Sequence, residues 1–131
     1  MIASNDAPKR VLDASAVLAV LFREVGFDAV PLEGSAVSAV NWSEVVQVAM
    51  RRDADVAGLG DALGAEGVVV VPFTIAHAEA VAALWAATRA AGLSLADRAC
   101  LALARSFGVP ALTADRAWLH LDAGVDVVVV R

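Results

Sequence analysis

The strongest constraint on the fold of this chain is a repeated alternation of short Val-rich runs with longer segments of helical character. Such alternation is typical of an α/β domain with a mostly parallel sheet. The Val-rich runs lack polar residues at every second position, which indicates strands that helices cover on both faces. The sequence therefore predicts an α/β fold with a mostly parallel central sheet.

The predicted elements follow one another along the chain. Strands are expected at residues 10–13, 36–40, 68–71, 111–113 and 126–130. Helices are expected at residues 15–24, 42–52, 74–91 and 95–107, with a short or irregular helix within 55–65 and a helical turn at 116–119. Gly92 and Gly108 are placed to end the last two long helices, since glycine readily adopts the left-handed conformation of a C-cap.

Length and composition narrow the class of protein. The 131 residues predict a single domain spanning 1–131, and a hydrophobic fraction of 60% is enough for a substantial core. No apolar run comes near the roughly 20 residues that span a bilayer, and residues 1–10 show no signal peptide, so no membrane association is expected. Cys100 is the only cysteine, which excludes an internal disulfide and fits a cytoplasmic protein.

Four acidic residues occupy equivalent places in the predicted pattern. Asp13 ends the first strand, Glu44 and Asp97 lie in the first turn of their helices, and Asp115 follows the fourth strand. The net charge of −5 argues against a general nucleic-acid binder, which usually carries a basic surplus. That argument weakens if these acids surround a cation that offsets their charge.

Each acid also has a purely structural interpretation. Asn41 precedes Glu44 by three positions, and Ser94 precedes Asp97 by three, which is the spacing of a capping box. The other two acids, Asp13 and Asp115, could be simple N-caps. Considered singly, each acid is explained by helix capping.

Considered together, the four acids indicate a metal site. The carboxyl ends of parallel strands lie along one edge of a sheet, where the sites of open α/β sheets form. Carboxylates that share a pocket resist ionisation, and a divalent cation removes that penalty. Oxygen ligands without His or Cys favour Mg²⁺ or Mn²⁺ over zinc. Such an ion suits phosphodiester hydrolysis by a metal-activated water, which Ser15 and Thr113 could orient.

Four segments of the chain resemble the PIN-domain family, and specifically the VapC-type toxins of toxin–antitoxin pairs. They read VLDASAVL at 11–18, NWSEV at 41–45, SLADRACLALA at 94–104 and LTAD at 112–115. The resemblance implies a PIN-like three-layer α/β/α sandwich and a homodimeric, Mg²⁺- or Mn²⁺-dependent endoribonuclease. It further implies an RNA substrate and a cognate VapB-type antitoxin, as in type II (VapBC-type) systems. The residues that it assigns to the metal are Asp13, Glu44, Asp97 and Asp115, with the hydroxyls of Ser15 and Thr113 beside them.

Arginines and tryptophans near the acids have two interpretations each. Arg98 and Arg116 directly follow two of the acids and could contact RNA phosphates, although exposed or ion-paired surface arginines are the plain alternative. Trp118 could stack on a base, but burial is the favoured interpretation. Trp85 is expected in the core.

Other functions fit the pattern less well. A phosphatase of the haloacid dehalogenase type needs a second Asp where Ser15 stands and a suitably placed Lys, whereas Lys9 is the only lysine and precedes the first strand. A response-regulator receiver needs paired acids after the first strand and a late Lys, and neither is present. A catalytically inactive PIN-like binding domain remains an alternative, although all four acids are retained.

Overall fold

Five parallel strands form one sheet in the computed structural model, which describes residues 7–131. The strands stand in the order β3-β2-β1-β4-β5, and each of the four neighbouring pairs is parallel. Their bounds are Arg10–Leu12 for β1, Ser35–Ser38 for β2, Val68–Val71 for β3, Ala111–Thr113 for β4 and Val127–Val129 for β5. The predicted parallel α/β sheet is confirmed.

Six α-helices connect and cover the strands. They are α1 at Ala14–Phe22, α2 at Ala39–Arg51, α3 at Leu59–Ala65, α4 at Ile75–Ala83, α5 at Trp85–Thr88 and α6 at Leu95–Phe107. Short 3-10 turns occur at Phe27–Ala29, Arg89–Ala91 and Arg116–Trp118. No helix within residues 7–131 combines the length and the apolar character needed to cross a membrane.

Successive residues of the central strand β1 point to opposite faces of the sheet and enter two separate cores. Val11 packs with α4, α6 and the fully buried Trp118, whereas Leu12 packs with α1, α2 and α3. This alternation places one helical layer on each side of the sheet. The predicted three-layer α/β/α sandwich is therefore confirmed, and so is the burial of Trp118.

The start of α2 differs from the prediction, and the difference moves Glu44. Ser38 ends β2 and caps α2, because its Oγ accepts a hydrogen bond from the Val40 N–H at 3.3 Å. The helix consequently begins at Ala39, with Asn41 in its first turn and Glu44 in its second. The capping box expected between Asn41 and Glu44 is wrong.

The single helix expected at 74–91 is also wrong, because α4 ends at Ala83 and α5 begins at Trp85. The hydroxyl of Thr88 donates to the Leu84 carbonyl at 2.8 Å, a local side-chain bond of the kind that bends helices. Trp85 is 53% exposed rather than in the core, and the Arg89 guanidinium lies 5.1 Å from its ring centroid.

The strand order determines where the connections between strands diverge. From β1 the chain proceeds to β2 and β3 on one side of the sheet and later returns to β4 and β5 on the other. Where the connections from two neighbouring strands run in opposite directions, they separate at the carboxyl ends of those strands. Ligands of open α/β sheets bind at such a point. In this fold that point lies between β1 and β4, directly above which Asp13 and Asp115 follow their strands.

Candidate active site

Asp13 is the buried centre of the candidate site. It follows β1 directly, is 3% exposed and is the N-cap of α1, because its Oδ1 accepts a hydrogen bond from the Ala16 N–H at 2.8 Å. The structural interpretation of Asp13 as a cap is therefore confirmed. A cap uses only part of the acceptor capacity of a carboxylate, so Asp13 can accept from further partners.

Two hydroxyls hold the same carboxylate. Ser15 Oγ lies 2.7 Å from Asp13 Oδ1 and 2.9 Å from Oδ2, and Thr113 Oγ1 donates to Oδ2 at 2.5 Å. The hydroxyls lie 3.2 Å apart, and the Ala114 N–H donates to Ser15 Oγ at 2.8 Å. The end of β1 and the end of β4 are joined by this network, which contains both predicted hydroxyls.

Asp115 lies at the same edge but turns its side chain toward its own helical turn. It is exposed, and its Oδ1 accepts from the Ala117 N–H at 2.9 Å as the N-cap of a 3-10 turn. Its backbone N–H donates to Thr113 Oγ1 at 3.0 Å, which connects it to the Asp13 network through the main chain. The predicted N-cap is confirmed for this residue as well.

Asp97 is fixed by a capping box at the start of α6. Its Oδ2 accepts from the Ser94 N–H at 2.9 Å, and its own N–H donates to Ser94 Oγ at 3.1 Å. The Asn41 side chain reaches across from α2 and donates from Nδ2 to the Ala96 carbonyl at 3.0 Å. The first turn of α6 is thereby tied to the helix that carries Glu44.

The charge of Asp97 acts on two of the other acids. Burial raises the pKa of Asp13 to about 6, the hydrogen bonds from Thr113, Ala16 and Ser15 oppose that rise, and the charge of Asp97 adds to it. The pKa of Glu44 is also raised, by partial desolvation first and by the charge of Asp97 second, although its side chain is largely exposed. Negative charge is therefore concentrated at the edge to which these three carboxyl groups belong.

The acids do not stand as a preassembled ligand set. Within residues 7–131, no three His, Cys, Asp or Glu side chains are grouped so that they could hold a metal ion. Asp13, Ser15 and Thr113 are joined by hydrogen bonds, and Asp97 is coupled by charge to Asp13 and Glu44. The side chain of Asp115 is engaged in its own cap.

The chemistry of these groups fits a hard divalent cation. The available ligand atoms are carboxylate and hydroxyl oxygens, which hard cations prefer. Burial raises the pKa of Asp13 because it disfavours the ionised carboxylate, and a nearby cation would stabilise that ionised form. The buried amide oxygen Oδ1 of Asn41, beside the first turn of α6, has no hydrogen-bond partner in the described part of the chain. Asn41 is the residue that sequence reasoning missed, since its spacing from Glu44 suggested only a cap.

The two arginines that follow the acids have local partners. Arg98 is partly buried and donates from Nη1 to the Val81 carbonyl at 3.1 Å. Arg116 is exposed and donates from Nη1 to the Arg131 carbonyl at 3.0 Å. The RNA contacts expected of both stay predictions.

Comparison with known proteins identifies a family. Residues 10–124 match the model of the family described as "PIN domain", whereas none of the curated proteins matches the chain.

Solved structures share the fold at low sequence identity. A toxin–antitoxin complex from Klebsiella pneumoniae is similar with a TM-score of 0.69 at 19% identity, covering 93% of this chain and 98% of that one. DNA-bound VapBC from Salmonella typhimurium gives a TM-score of 0.68 at 16% identity, covering 95% and 99%. Mycobacterium tuberculosis VapC20, described as a Sarcin-Ricin loop cleaving toxin, gives 0.61 at 17% identity, covering 80% and 87%.

Proposed function

The chain belongs to the PIN-domain family, and from that premise we propose that it is a metal-dependent endoribonuclease, the toxin of a type II (VapBC-type) toxin–antitoxin pair. The family membership supports the nuclease part of the proposal. The VapBC and toxin–antitoxin complexes among its structural neighbours support the toxin part.

One observation carries the proposal, which is the buried carboxylate of Asp13 at the point where the connections that leave β1 and β4 diverge. Burial and the charge of Asp97 make its ionised form unfavourable, yet two hydroxyls and a backbone N–H are arranged around it as donors. Donors of this kind stabilise a carboxylate rather than a carboxylic acid. An ionised acid kept in such a place suits the binding of a cation.

In the proposed enzyme, Asp13, Glu44, Asp97 and Asp115 would hold Mg²⁺ or Mn²⁺. When bound, such a cation would lower the pKa of a water molecule and so make a hydroxide nucleophile available. Ser15 and Thr113 keep Asp13 oriented and limit its protonation through their hydrogen bonds. The first turn of α6 adds the positive end of a helix dipole beside Asp97.

The proposed partners follow from the same assignment. They are an RNA substrate, a VapB-type antitoxin that restrains the enzyme, and a second copy of the chain in a homodimer. The VapBC complexes among the structural neighbours support the antitoxin. We propose that the protein acts in the cytoplasm, where a toxin of this class would meet RNA.

Incubation of the purified chain with total RNA tests the proposal. We expect cleavage with Mg²⁺ or Mn²⁺, none with EDTA, and a loss of at least about 100-fold in Asp13→Asn. Asp61→Asn is the matched control, because Asp61 is an exposed acid on α3, and its cleavage rate should equal that of the parent. Cleavage that survives EDTA or Asp13→Asn would contradict the proposal, and RNA binding without cleavage would favour an inactive binding domain.

A further inference from the structure

Asn41 has an arrangement that helix capping does not explain. Its side chain is 1% exposed, and it lies in the first turn of α2, three residues before Glu44. Nδ2 donates to the carbonyl of Ala96, the residue that precedes Asp97 in the first turn of α6. One amide therefore joins the two helices that carry Glu44 and Asp97.

The orientation of this amide is determined by its partner. The Ala96 carbonyl can only accept a hydrogen bond, so the NH₂ group of Asn41 must face it. Oδ1 consequently faces away from Ala96, and in the described part of the chain no group donates to it. A buried carbonyl oxygen without a donor costs about 1–3 kcal/mol, and a bound water is the usual remedy.

The side chain of Asp97 cannot easily move independently of α6. Its carboxylate is bonded to the Ser94 N–H, so it moves with the first turn of α6. Asn41 ties that turn to α2. Loss of the Asn41–Ala96 hydrogen bond would therefore release the first turn of α6, and Asp97 with it, from the helix that carries Glu44.

We infer that Asn41 is a positioning residue for the cation site, because its Nδ2 ties the first turn of α6, which carries Asp97, to α2, which carries Glu44. The inference rests on the cation site of the proposed function but does not depend on RNA cleavage. Residues that orient metal ligands typically contribute about 10- to 100-fold to metal affinity.

Asn41→Leu tests the inference, because leucine has a similar size and neither hydrogen-bonding group. The probe is Mn²⁺ alone, titrated into metal-free protein at low temperature and followed by electron paramagnetic resonance. We expect Mn²⁺ to bind about 10- to 100-fold more weakly than to the parent. In the metal-free protein, the backbone amides of Asp97 and Arg98 should exchange hydrogen faster than in the parent.

Thr88→Val is the matched control. Thr88 is also 1% exposed and also donates to a backbone carbonyl, but it lies in α5, which contacts α4 and the 3-10 turn at Arg89–Ala91. Its loss should lower the melting temperature while leaving Mn²⁺ affinity within about twofold of the parent. If Asn41→Leu does not fold, Asn41→Ser replaces it, since a serine side chain is too short to span from α2 to Ala96.

The outcomes separate the two proposals. Equal Mn²⁺ affinities for the parent and the Asn41 variant would overturn the inference and leave the nuclease untouched. A parent chain that binds no Mn²⁺ would overturn it as well. If the parent protein binds Mn²⁺ with an affinity that depends on Asn41 but cuts no RNA, only the proposed function is refuted.

Discussion

The hydroxyl of Thr113 is hydrogen-bonded to the carboxylate of Asp13 although the two residues are one hundred positions apart in the sequence. The bond joins the end of β4 to the end of β1, the neighbouring strand at the centre of the sheet. The same hydroxyl accepts from the backbone N–H of Asp115. Thr113 thus connects two of the proposed ligands, Asp13 and Asp115, at the carboxyl ends of β1 and β4.

Thr113→Val should therefore destabilise the metal-free protein. Valine keeps the volume of the side chain but leaves the Asp13 carboxylate and the Asp115 N–H each without one partner. We expect a loss of about 1–3 kcal/mol in the free energy of unfolding, measured by urea denaturation in EDTA. Thr113→Ser retains the hydroxyl and should lose less than half as much, so equal losses in the two variants would show that the hydroxyl is unimportant.

Trp118 and Trp85 should respond very differently to truncation. Trp118 is completely buried in the core against α6, whereas Trp85 is 53% exposed and contacts Arg89. Trp118→Ala should lower the free energy of unfolding by about 3–5 kcal/mol, and Trp85→Ala by less than about 1 kcal/mol. Urea denaturation of both variants measures the difference, and similar losses would contradict the described exposure of Trp85.

Local signals in the sequence were enough for several elements. The helix expected at 95–107 coincides with α6, because Ser94 opens it with a capping box and Gly108 closes it in the left-handed conformation, with φ 65°. The strands expected at 68–71 and 111–113 coincide with β3 and β4. At these places the cap and turn residues are unambiguous.

Where two residues offered the same signal, sequence reasoning chose the wrong one. Both Ser38 and Asn41 are good N-cap residues, and only the register of β2 against its neighbours decides that Ser38 ends the strand. The break between α4 and α5 involves a bond from Thr88 to the Leu84 carbonyl rather than a Gly or Pro. Neither feature is visible in periodicity.

The candidate site was predictable as a set of acids at one edge but not as a network. Placing Asp13 beside Thr113 requires β4 to lie next to β1, and strand order depends on packing across the whole sheet. The role inferred for Asn41 likewise depends on the approach of α6 to α2. Contacts between segments far apart in the sequence produce no regular residue spacing that sequence analysis could detect.

Gly26 should not tolerate a side chain. It has a φ of 93°, and a Cβ at this position would overlap the carbonyl oxygen of Val130, just beyond β5. Gly58 has a φ of 72° but open space around it, so Gly58→Ala should cost only about 1 kcal/mol of conformational strain. Gly26→Ala should cost at least about twice as much, as measured by thermal unfolding, and equal costs would show that the loop moves away from Val130.

The pH dependence of stability should report on Asp13. Because the pKa of Asp13 is raised from 3.8 to about 6, the folded chain binds a proton between these values that the unfolded chain has released. The stabilisation from this proton is complete below about pH 4 and is lost as the pH rises through 6, by about 3 kcal/mol at about 1.4 kcal/mol per pKa unit. In EDTA, Asp13→Asn should therefore gain stability relative to the parent between pH 4 and pH 7.5.

Mn²⁺ should reverse that comparison at pH 7.5, because a cation stabilises the folded chain to the extent that it binds the ionised carboxylates. The melting temperature of the parent should rise with Mn²⁺ concentration, while that of Asp13→Asn stays nearly constant. Asp61→Asn should follow the parent in both solutions, since its exposed carboxylate lies outside the site. If the parent and Asp13→Asn instead show parallel pH profiles in EDTA and equal responses to Mn²⁺, Asp13 is a helix cap and no more.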